Sequence, residues 1–454
     1  MPRREHLLKI GVSGIRGVVG DFLTPSLACA FGQAFGTYIG RGRVIVGRDT
    51  RMTGQMLQHA VSCGLLAAGS EVVDVGVLPT PTIQIYVADT GARGGIALTA
   101  SHNPPEYNAL KLFNSEGLFF NQYERGELID LYHQSQFRRA ANSEIRGITQ
   151  DYESGPKRHF ERILRHVDVE AIRRRRFRVA LDSVNGAGSA MSCQFLEQIL
   201  GCDLRAIWVD PGKPFPREAE PKPESLTELA ALVWREGCEI GFGQDPDGDR
   251  LAVCDENGRV LDNDDVLALV VDAALALHAG DIVVNLTTSS VVEDVARRHG
   301  RQVFRTPVGE ANVVERMRAV KAAIGGECSN GGIIFPAVHL CRDSYTGMAF
   351  LLHRMAQTGK SISQMAAELP KYYRRLGKVS YEHGRLGMLM QSLEQAFPGV
   401  PADRTDGLKL LLDDGWVHVR ASNTEPLLRL AAEARSAGRL EELYGRVVQA
   451  LQQS

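Results

Sequence analysis

The 454-residue chain predicts three two-sided α/β domains in succession, followed by a smaller C-terminal α+β domain. Three observations predict this. The length exceeds what one core normally supports and suggests about three domains. Strand-like and helix-like segments alternate, and strands separated by helices of that length argue for largely parallel sheets covered on both faces. The alternation restarts twice, then gives way to closely spaced strands and one amphipathic helix.

In the first unit, residues 43–48 are apolar and β-branched, 54–68 have helical periodicity, and 71–76 are again strand-like. Residues 81–88 read as a short helix, 94–99 as the next strand and 109–113 as another. The second unit opens with a helix at 152–165. It continues as strand 177–182, helix 187–200, strand 204–209, helix 225–236, and strands 239–244 and 251–255. The third runs through helix 264–278, strand 281–286, helix 289–299, strand 302–306, helix 310–320, strand 322–325 and helix 344–357. The tail has strands at 378–382, 407–412, 416–420 and 427–432, and a helix at 438–451. Domains are expected over 1–152, 153–257, 258–370 and 371–454. The restarts share no evident sequence identity, so the repetition is architectural rather than a detected repeat.

Composition narrows the function. Hydrophobic residues make up 44% and charged residues 23%, the balance of a soluble globular protein. A net charge of −2 excludes a strongly basic nucleic-acid-binding body. The Arg173-Arg174-Arg175-Arg176 run reads as a solvated helix end complementing the helix dipole. Eight cysteines without CxxC spacing suggest free thiols in a reducing cytosol. The amino terminus leads directly into a strand with no signal peptide visible, and no apolar run approaches the roughly 18 residues needed to cross a bilayer. A cytoplasmic protein binding neither membrane nor nucleic acid is expected.

Three motifs carry chemistry. Thr99-Ala100-Ser101-His102-Asn103-Pro104-Pro105 follows an apolar strand, and open α/β folds place their chemistry at that sheet edge. Ser101 is the nucleophile candidate there and His102 a neighbouring acid/base; an ordinary Ser/Asn/Pro turn is the alternative. Asp245-Pro246-Asp247-Gly248-Asp249-Arg250 puts three carboxylates at alternate positions in a tight turn, an arrangement that needs a counter-charge such as Mg²⁺. An EF-hand is excluded because Arg250 stands at the sixth position, where glycine is required. An aspartyl-phosphate phosphatase would leave the Ser101 loop without a role. Arg420-Ala421-Ser422-Asn423-Thr424-Glu425-Pro426 combines a fixed cation with hydroxyls and an amide, the chemistry of a phosphate cradle, and Arg429 adds a second cation. Two weaker stretches join these. Glu327-Cys328-Ser329-Asn330-Gly331-Gly332 could recognise sugar hydroxyls. Ser13-Gly14-Ile15-Arg16-Gly17 reads as a strand-end turn or a cation aimed at the site. Together the motifs describe phosphoryl transfer.

These motifs, in this order and over essentially the whole chain, resemble the α-D-phosphohexomutase superfamily. The resemblance implies three similar mixed α/β/α sandwich domains plus a smaller C-terminal α+β domain around a central cleft. It implies that Ser101 is carried as phosphoserine and that Asp245, Asp247 and Asp249 hold Mg²⁺ together with a phosphoserine oxygen. Lys111 matches the family's general acid/base, with His102 the other candidate, and Arg16 and Arg250 would stabilise the transferring phosphoryl. Glu327 and Ser329 match sugar-binding positions. Arg420, Ser422, Asn423 and Thr424 match the holder of the non-transferred phosphate, with Arg429 beside them. The expected partners are small sugar phosphates, a hexose 1,6-bisphosphate is both intermediate and activator, and the chain is a monomer or homodimer.

Where glucose and mannose members carry Gly-His, this chain has Gly309-Glu310. The acidic residue resembles phosphoglucosamine mutases and could pair with a substrate amino group. The 327–332 loop departs from their Glu-x-Ser-Gly-His form, and Pro307 replaces a common lysine. Phosphoglucosamine mutase is the first expectation and phosphomannomutase/phosphoglucomutase the second. A non-catalytic phosphosugar-binding relative and a phosphatase are the readings from other classes.

Overall fold

The structure, a computed structural model, describes residues 8–11, 14–327, 331–382, 384–422 and 427–452. The chain forms two compact units, residues 1–266 with 331–365 and residues 267–330 with 366–454.

The first unit contains a seven-stranded sheet. Its order is Leu8–Gly11, Gly14–Val18, Tyr107–Phe113, Gly94–Leu98, Arg43–Arg48, Glu71–Val77 and Ile148–Gln150. Arg43–Arg48 runs parallel to Glu71–Val77 and Gly94–Leu98, and Glu71–Val77 parallel to Ile148–Gln150. The remaining pairings are antiparallel. The sheet is therefore mixed, as the resemblance implies, rather than largely parallel, because Tyr107–Phe113 and Gly14–Val18 both join it antiparallel. Both faces are buried, as the period of two along one strand shows. Val44 and Val46 pack with Phe31, Phe35, Leu57 and Val61 of helices Pro25–Ile39 and Gly54–Ala67. Ile45, between them, packs with Ile83 and Val87 of helix Thr80–Asp89.

A second sheet follows in the order Leu251–Asp255, Ile240–Gln244, Arg178–Asp182, Asp203–Ile207. Its first pair is an antiparallel hairpin and the rest is parallel. Helix Thr227–Glu236 buries Leu229 and Val233 against Ala180, Ala252 and Cys254. The segment expected as one helix at 187–200 is a short α-helix, Ser189–Cys193, continued by a π-helical stretch, Gln194–Ile199. The antiparallel hairpin of Gly332–Phe335 and His339–Arg342 and the buried helix Ser344–Thr358 complete this unit. Asp343 caps that helix, accepting from the backbone N–H groups of Tyr345 and Thr346.

In the second unit, strand Ile282–Asn285 runs parallel to Val303–Thr306 on one side and Ile324–Glu327 on the other. A five-stranded antiparallel sheet follows, ordered Tyr373–Ser380, Leu427–Ala434, Gly415–Ala421, Leu408–Leu412, Ala402–Asp403. One of its faces, with Leu408, Leu410, Val417, Val419, Leu428 and Leu430, is covered by helices Leu386–Ala396 and Ala437–Gln452. The other face carries Lys409, Trp416, His418 and Glu433, all buried, beside the exposed Leu376 and Lys378, so it is covered over part of its area as well. Among the described residues no helix is long and apolar enough to cross a membrane, and the seven described cysteines are free.

Candidate active site

Ser101 lies just beyond strand Gly94–Leu98 and is 3% exposed. Its φ of +50° is in the left-handed region, which non-glycine residues enter only where the surroundings hold them. Arg51 supplies that restraint. Its Nη2 donates to the carbonyls of Ser101 (2.6 Å) and Asn103 (2.7 Å), and its Nη1 to those of Pro104 (2.6 Å) and Tyr107 (3.1 Å). Its Nε donates to Asp49 Oδ2 at 3.0 Å, which uses every N–H direction of the guanidinium. Asp49 also accepts from Thr99 Oγ1 (2.7 Å), and Thr99 Oγ1 accepts the Ser101 N–H (3.0 Å).

The three aspartates occupy the turn of the hairpin between Ile240–Gln244 and Leu251–Asp255. Gly248 takes φ +67°, which lets the chain reverse between them. Ser101 Oγ donates to Asp245 Oδ2 at 2.7 Å, so the serine meets the acidic loop directly. Asp245 Oδ1 accepts the N–H groups of Asp249 and Arg250. Asp247 Oδ2 accepts from Lys111 Nζ and Thr80 Oγ1, each at 2.5 Å. Asp249 Oδ2 accepts from Arg342 Nη2 at 2.6 Å and Lys111 Nζ at 3.4 Å. One oxygen from each carboxylate lies within 4.8 Å of the others, and all three residues are buried. Oδ1 of Asp247 and Oδ1 of Asp249 are buried with no hydrogen-bond donor among the described residues. Such a pair of oxygens fits a hard divalent cation, which takes carboxylate ligands at short range.

Burial, then the charges of Asp249 and Asp247, push the Asp245 carboxyl well above the usual carboxylate range. Burial acts the same way on Asp247, but Lys111 and hydrogen bonds outweigh it and leave that group low. Burial opposes the charge on Lys111, yet Asp247 and Asp249 hold its ammonium above the ordinary lysine value. Arg16 Nη1 donates to Asn103 Oδ1 (2.6 Å), and Arg250 Nη1 to Glu220 Oε1 (2.8 Å). Arg250 Nε is also 3.8 Å from Asp245 Oδ2. Burial, with Arg250, Arg16 and Arg342 adding to it, pushes His102 down to about 2, so its imidazole is neutral near pH 7.

The second unit gathers another set. Glu327 ends strand Ile324–Glu327, and its Oε1 accepts from the Gly309 N–H (2.6 Å) and Asn285 Nδ2 (3.1 Å). Gly309 precedes helix Glu310–Val320, so half-buried Glu310 sits in the first turn, where a carboxylate also complements the helix dipole. Arg420, near the end of Gly415–Ala421, is lowered by burial, and Asp406 and Glu327 oppose that loss. A cavity of about 410 Å³ is lined by Thr287, Val308, Leu376, Lys378, Arg420 and Arg429 among others. Ser422 donates its N–H to the Leu427 carbonyl at 2.8 Å. Ser13, Ser329, Asn423 and Thr424 lie outside the described residues.

Four models of the phosphoglucomutase/phosphomannomutase family match in chain order. Alpha/beta/alpha domain I matches residues 7–139, domain II 157–258, domain III 262–373 and the C-terminal domain 385–450. The chain belongs to this family. A phosphoglucomutase/phosphomannomutase of Thermococcus kodakarensis is 40% identical over 440 residues, 95% of this chain and 96% of the relative. A probable phosphoglucosamine mutase of Methanopyrus kandleri is 38% identical over 439 residues, 95% of each. The crystal structure of a phosphoglucomutase/phosphomannomutase family protein from Burkholderia thailandensis matches with a TM-score of 0.84 at 26% identity, over 98% of this chain and 97% of that one. The protein is accordingly an enzyme of the isomerase class, a phosphohexomutase.

Within this phosphohexomutase, the first unit brings together Arg16, Ser101, His102, Lys111, Asp245, Asp247, Asp249 and Arg250. The second holds Glu310, Glu327, Arg420, Ser422 and Arg429. Sequence reasoning missed Arg51, Asp49, Thr80 and Arg342 in the first unit and Asp406 in the second. Asp49-Thr50-Arg51 follows a strand just as the Ser101 loop does, and that position was the available signal.

Proposed function

We propose that this phosphohexomutase interconverts hexose 6-phosphates and hexose 1-phosphates through phospho-Ser101, with glucosamine phosphate as the preferred substrate. The observation that carries the reading is the hydrogen bond from Ser101 Oγ to Asp245, on a strained, buried loop surrounded by cations. A phosphoryl group on that oxygen would bear about −1.5 to −2 charges at pH 7. Arg16 and Arg250 flank the loop and would share that charge.

The hydroxyl oxygen of a hexose monophosphate attacks the phosphorus of phospho-Ser101, and the bond from phosphorus to Oγ breaks. The hydroxyl proton leaves to a base, Ser101 Oγ takes up a proton, and a hexose 1,6-bisphosphate results. After the bisphosphate turns over, Ser101 Oγ gives up its proton and attacks the other phosphoryl; the bond from that phosphorus to the hexose oxygen breaks, the oxygen takes up a proton, and the isomeric hexose monophosphate leaves. Lys111 is the assigned proton carrier, since it is buried between Asp247 and Asp249 with its ammonium stabilised. His102, being neutral, serves as hydrogen-bonding partner to the reacting oxygens. Asp245, Asp247 and Asp249 would hold Mg²⁺, which when bound offsets charge developing on the phosphoryl group. In the second unit Arg420, Ser422, Asn423, Thr424 and Arg429 would hold the phosphate that is not transferred, and Glu327 and Ser329 the sugar hydroxyls.

Glu310, next in the chain to the Gly309 whose N–H bonds Glu327, supports the amino sugar, because carboxylates suit a substrate ammonium. Mannose or glucose phosphate is the second reading, favoured by the name of the 40% identical relative. ³¹P NMR with Mg²⁺, trace hexose 1,6-bisphosphate and the 6-phosphates of glucosamine, mannose, glucose and N-acetylglucosamine decides. The first 1-phosphate signal should rise from glucosamine 6-phosphate; a faster signal from mannose or glucose would overturn the sugar assignment alone. Release of inorganic phosphate without any 1-phosphate would overturn the mutase chemistry. Ser101→Ala should abolish turnover while leaving hexose phosphate binding intact.

A further inference from the structure

The antiparallel sheet of the second unit carries more cationic surface than the Arg420 loop accounts for. Lys378 lies directly opposite Arg429, and Arg429 directly opposite Arg420. Residues paired across antiparallel strands project from the same face, so the three cations form one rung over three strands. At about 4.8 Å per strand the row spans about 10 Å. All three line the cavity of about 410 Å³, as does Val308 just before Gly309 and Glu310. The next rung is Leu376, Ala431 and His418, so the cations border an uncharged floor on which Leu376 is 61% exposed. Lys378 is itself exposed and makes no ion pair among the described residues. Like charges directly opposite one another destabilise a sheet, so an anion bound across the row would relieve a repulsion built into the fold.

We propose that Lys378 is a further substrate-binding residue: the outer cation of a three-cation row that holds the non-transferred phosphate of the hexose phosphate in both substrate orientations. This rests on the reading that Arg420 and its loop hold that phosphate. A mutase must accept a substrate held by its 6-phosphate and one held by its 1-phosphate. The former hangs from an exocyclic carbon and the latter from the ring itself, so the two phosphorus atoms stand at different distances from the sugar. A point-like cradle would force the sugar to shift between the two states. A row lets the phosphate shift instead: the arginine forks fix it at one end, and the lysine, a point charge on a flexible stem, follows it at the other.

The test compares Lys378→Ala, Lys378→Arg and Arg420→Ala. It measures KM and kcat separately from the 6-phosphate and 1-phosphate sides, and melting temperature with and without inorganic phosphate. Lys378→Ala should raise KM about tenfold from one side and clearly less from the other, with kcat nearly unchanged. Lys378→Arg should restore most of the loss. Inorganic phosphate should raise the melting temperature of Lys378→Ala less than that of the parent, while without phosphate the variant should melt no lower. Equal rises in KM from both sides would overturn the two-orientation argument. Unchanged KM values and an unchanged phosphate response, with Arg420→Ala impaired, would overturn the role of Lys378 and leave the cradle standing. If Arg420→Ala were also unimpaired, the cradle itself would fall.

Discussion

Ser101 holds a backbone conformation that its own side chain disfavours, and one buried guanidinium keeps it there. Arg51 collects four carbonyls of the serine loop, which turns the loop's oxygens inward and leaves the serine hydroxyl on Asp245. Lysine cannot reproduce a planar fork of five donors. Arg51→Lys should therefore fold yet lower kcat about 100-fold, the loss expected from a reacting group displaced by about 1 Å, with KM for the hexose phosphate changed less than about twofold. Steady-state kinetics on protein whose Ser101 phosphorylation is checked by mass spectrometry tests this; an unchanged kcat would make Arg51 a fold residue only. The acidic loop gives a second expectation at this scale. Removing divalent cations by chelation should abolish turnover, and Asp249→Asn should weaken Mg²⁺ binding, measured by calorimetry. Asp249 supplies one of the two oxygens of this loop that are buried without a hydrogen-bond donor among the described residues. Equal Mg²⁺ affinity in the variant would remove that residue from the ligand set.

At the scale of elements, the candidate site was legible because its residues lie where strands end. The Ser101 loop follows Gly94–Leu98, the aspartates follow Ile240–Gln244, and Glu327 closes Ile324–Glu327. Apolar β-branched runs marked those strands, and small or acidic residues marked the turns. Elements whose packing depends on small residues were not legible. Helix Pro25–Ile39 is rich in Gly and Ala, and its clearest signals were Pro25 and the Thr24 cap, whose Oγ1 accepts the Leu27 N–H. Strand Gly14–Val18 reads as a turn from Gly-Ile-Arg-Gly, and its pairing with Leu8–Gly11 and Tyr107–Phe113 makes it a strand. Arg51 was invisible for a related reason, since its partners lie some fifty positions away. Gly14 shows what the pairing demands. It sits at φ +108°, and a Cβ there would fall 2.0 Å from the Leu110 carbonyl oxygen. Gly14→Ala should cost about 2–4 kcal/mol of stability through strain and displaced backbone. It should also lower kcat, because the two strands it would separate carry Arg16 and Lys111. Urea titration with parallel kinetics checks both, and a variant as stable as the parent would refute the packing argument.

At the scale of the whole molecule, the first unit holds two groups, the buried His339 and the half-buried Asp265, whose effects on acid stability oppose each other. His339 sits with Nε2 3.3 Å from the Gly117 carbonyl oxygen. Burial pushes it from 6.5 down to about 4; the Gly117 carbonyl and Asp89 oppose this, and Arg162 and His159 add to it. Asp265 goes the other way, pushed from 3.8 up to about 6 by burial and then Asp262, against Arg259. Between pH 6.5 and 4 the unfolded chain binds a proton at His339 that the folded chain refuses, so this group makes stability fall as pH falls. Between pH 3.8 and 6 the folded chain keeps a proton on Asp265 that the unfolded chain has lost, so this group makes stability fall as pH rises. At about 1.4 kcal/mol per pH unit each contributes at most about 3 kcal/mol, less for the partly exposed Asp265. The two slopes nearly cancel from about pH 4 to 6, and the parent's stability from these groups should be flat there. His339→Gln should uncover a negative slope, with unfolding free energy falling as pH rises from 4 to 6. Asp265→Asn should uncover the positive one, with unfolding free energy falling as pH drops from 6.5 to 4. Urea titrations followed by circular dichroism across pH 4 to 7 measure both slopes. If the two variants gave curves parallel to the parent, neither group would titrate differently in the folded and unfolded chains, and the balance between them would not exist.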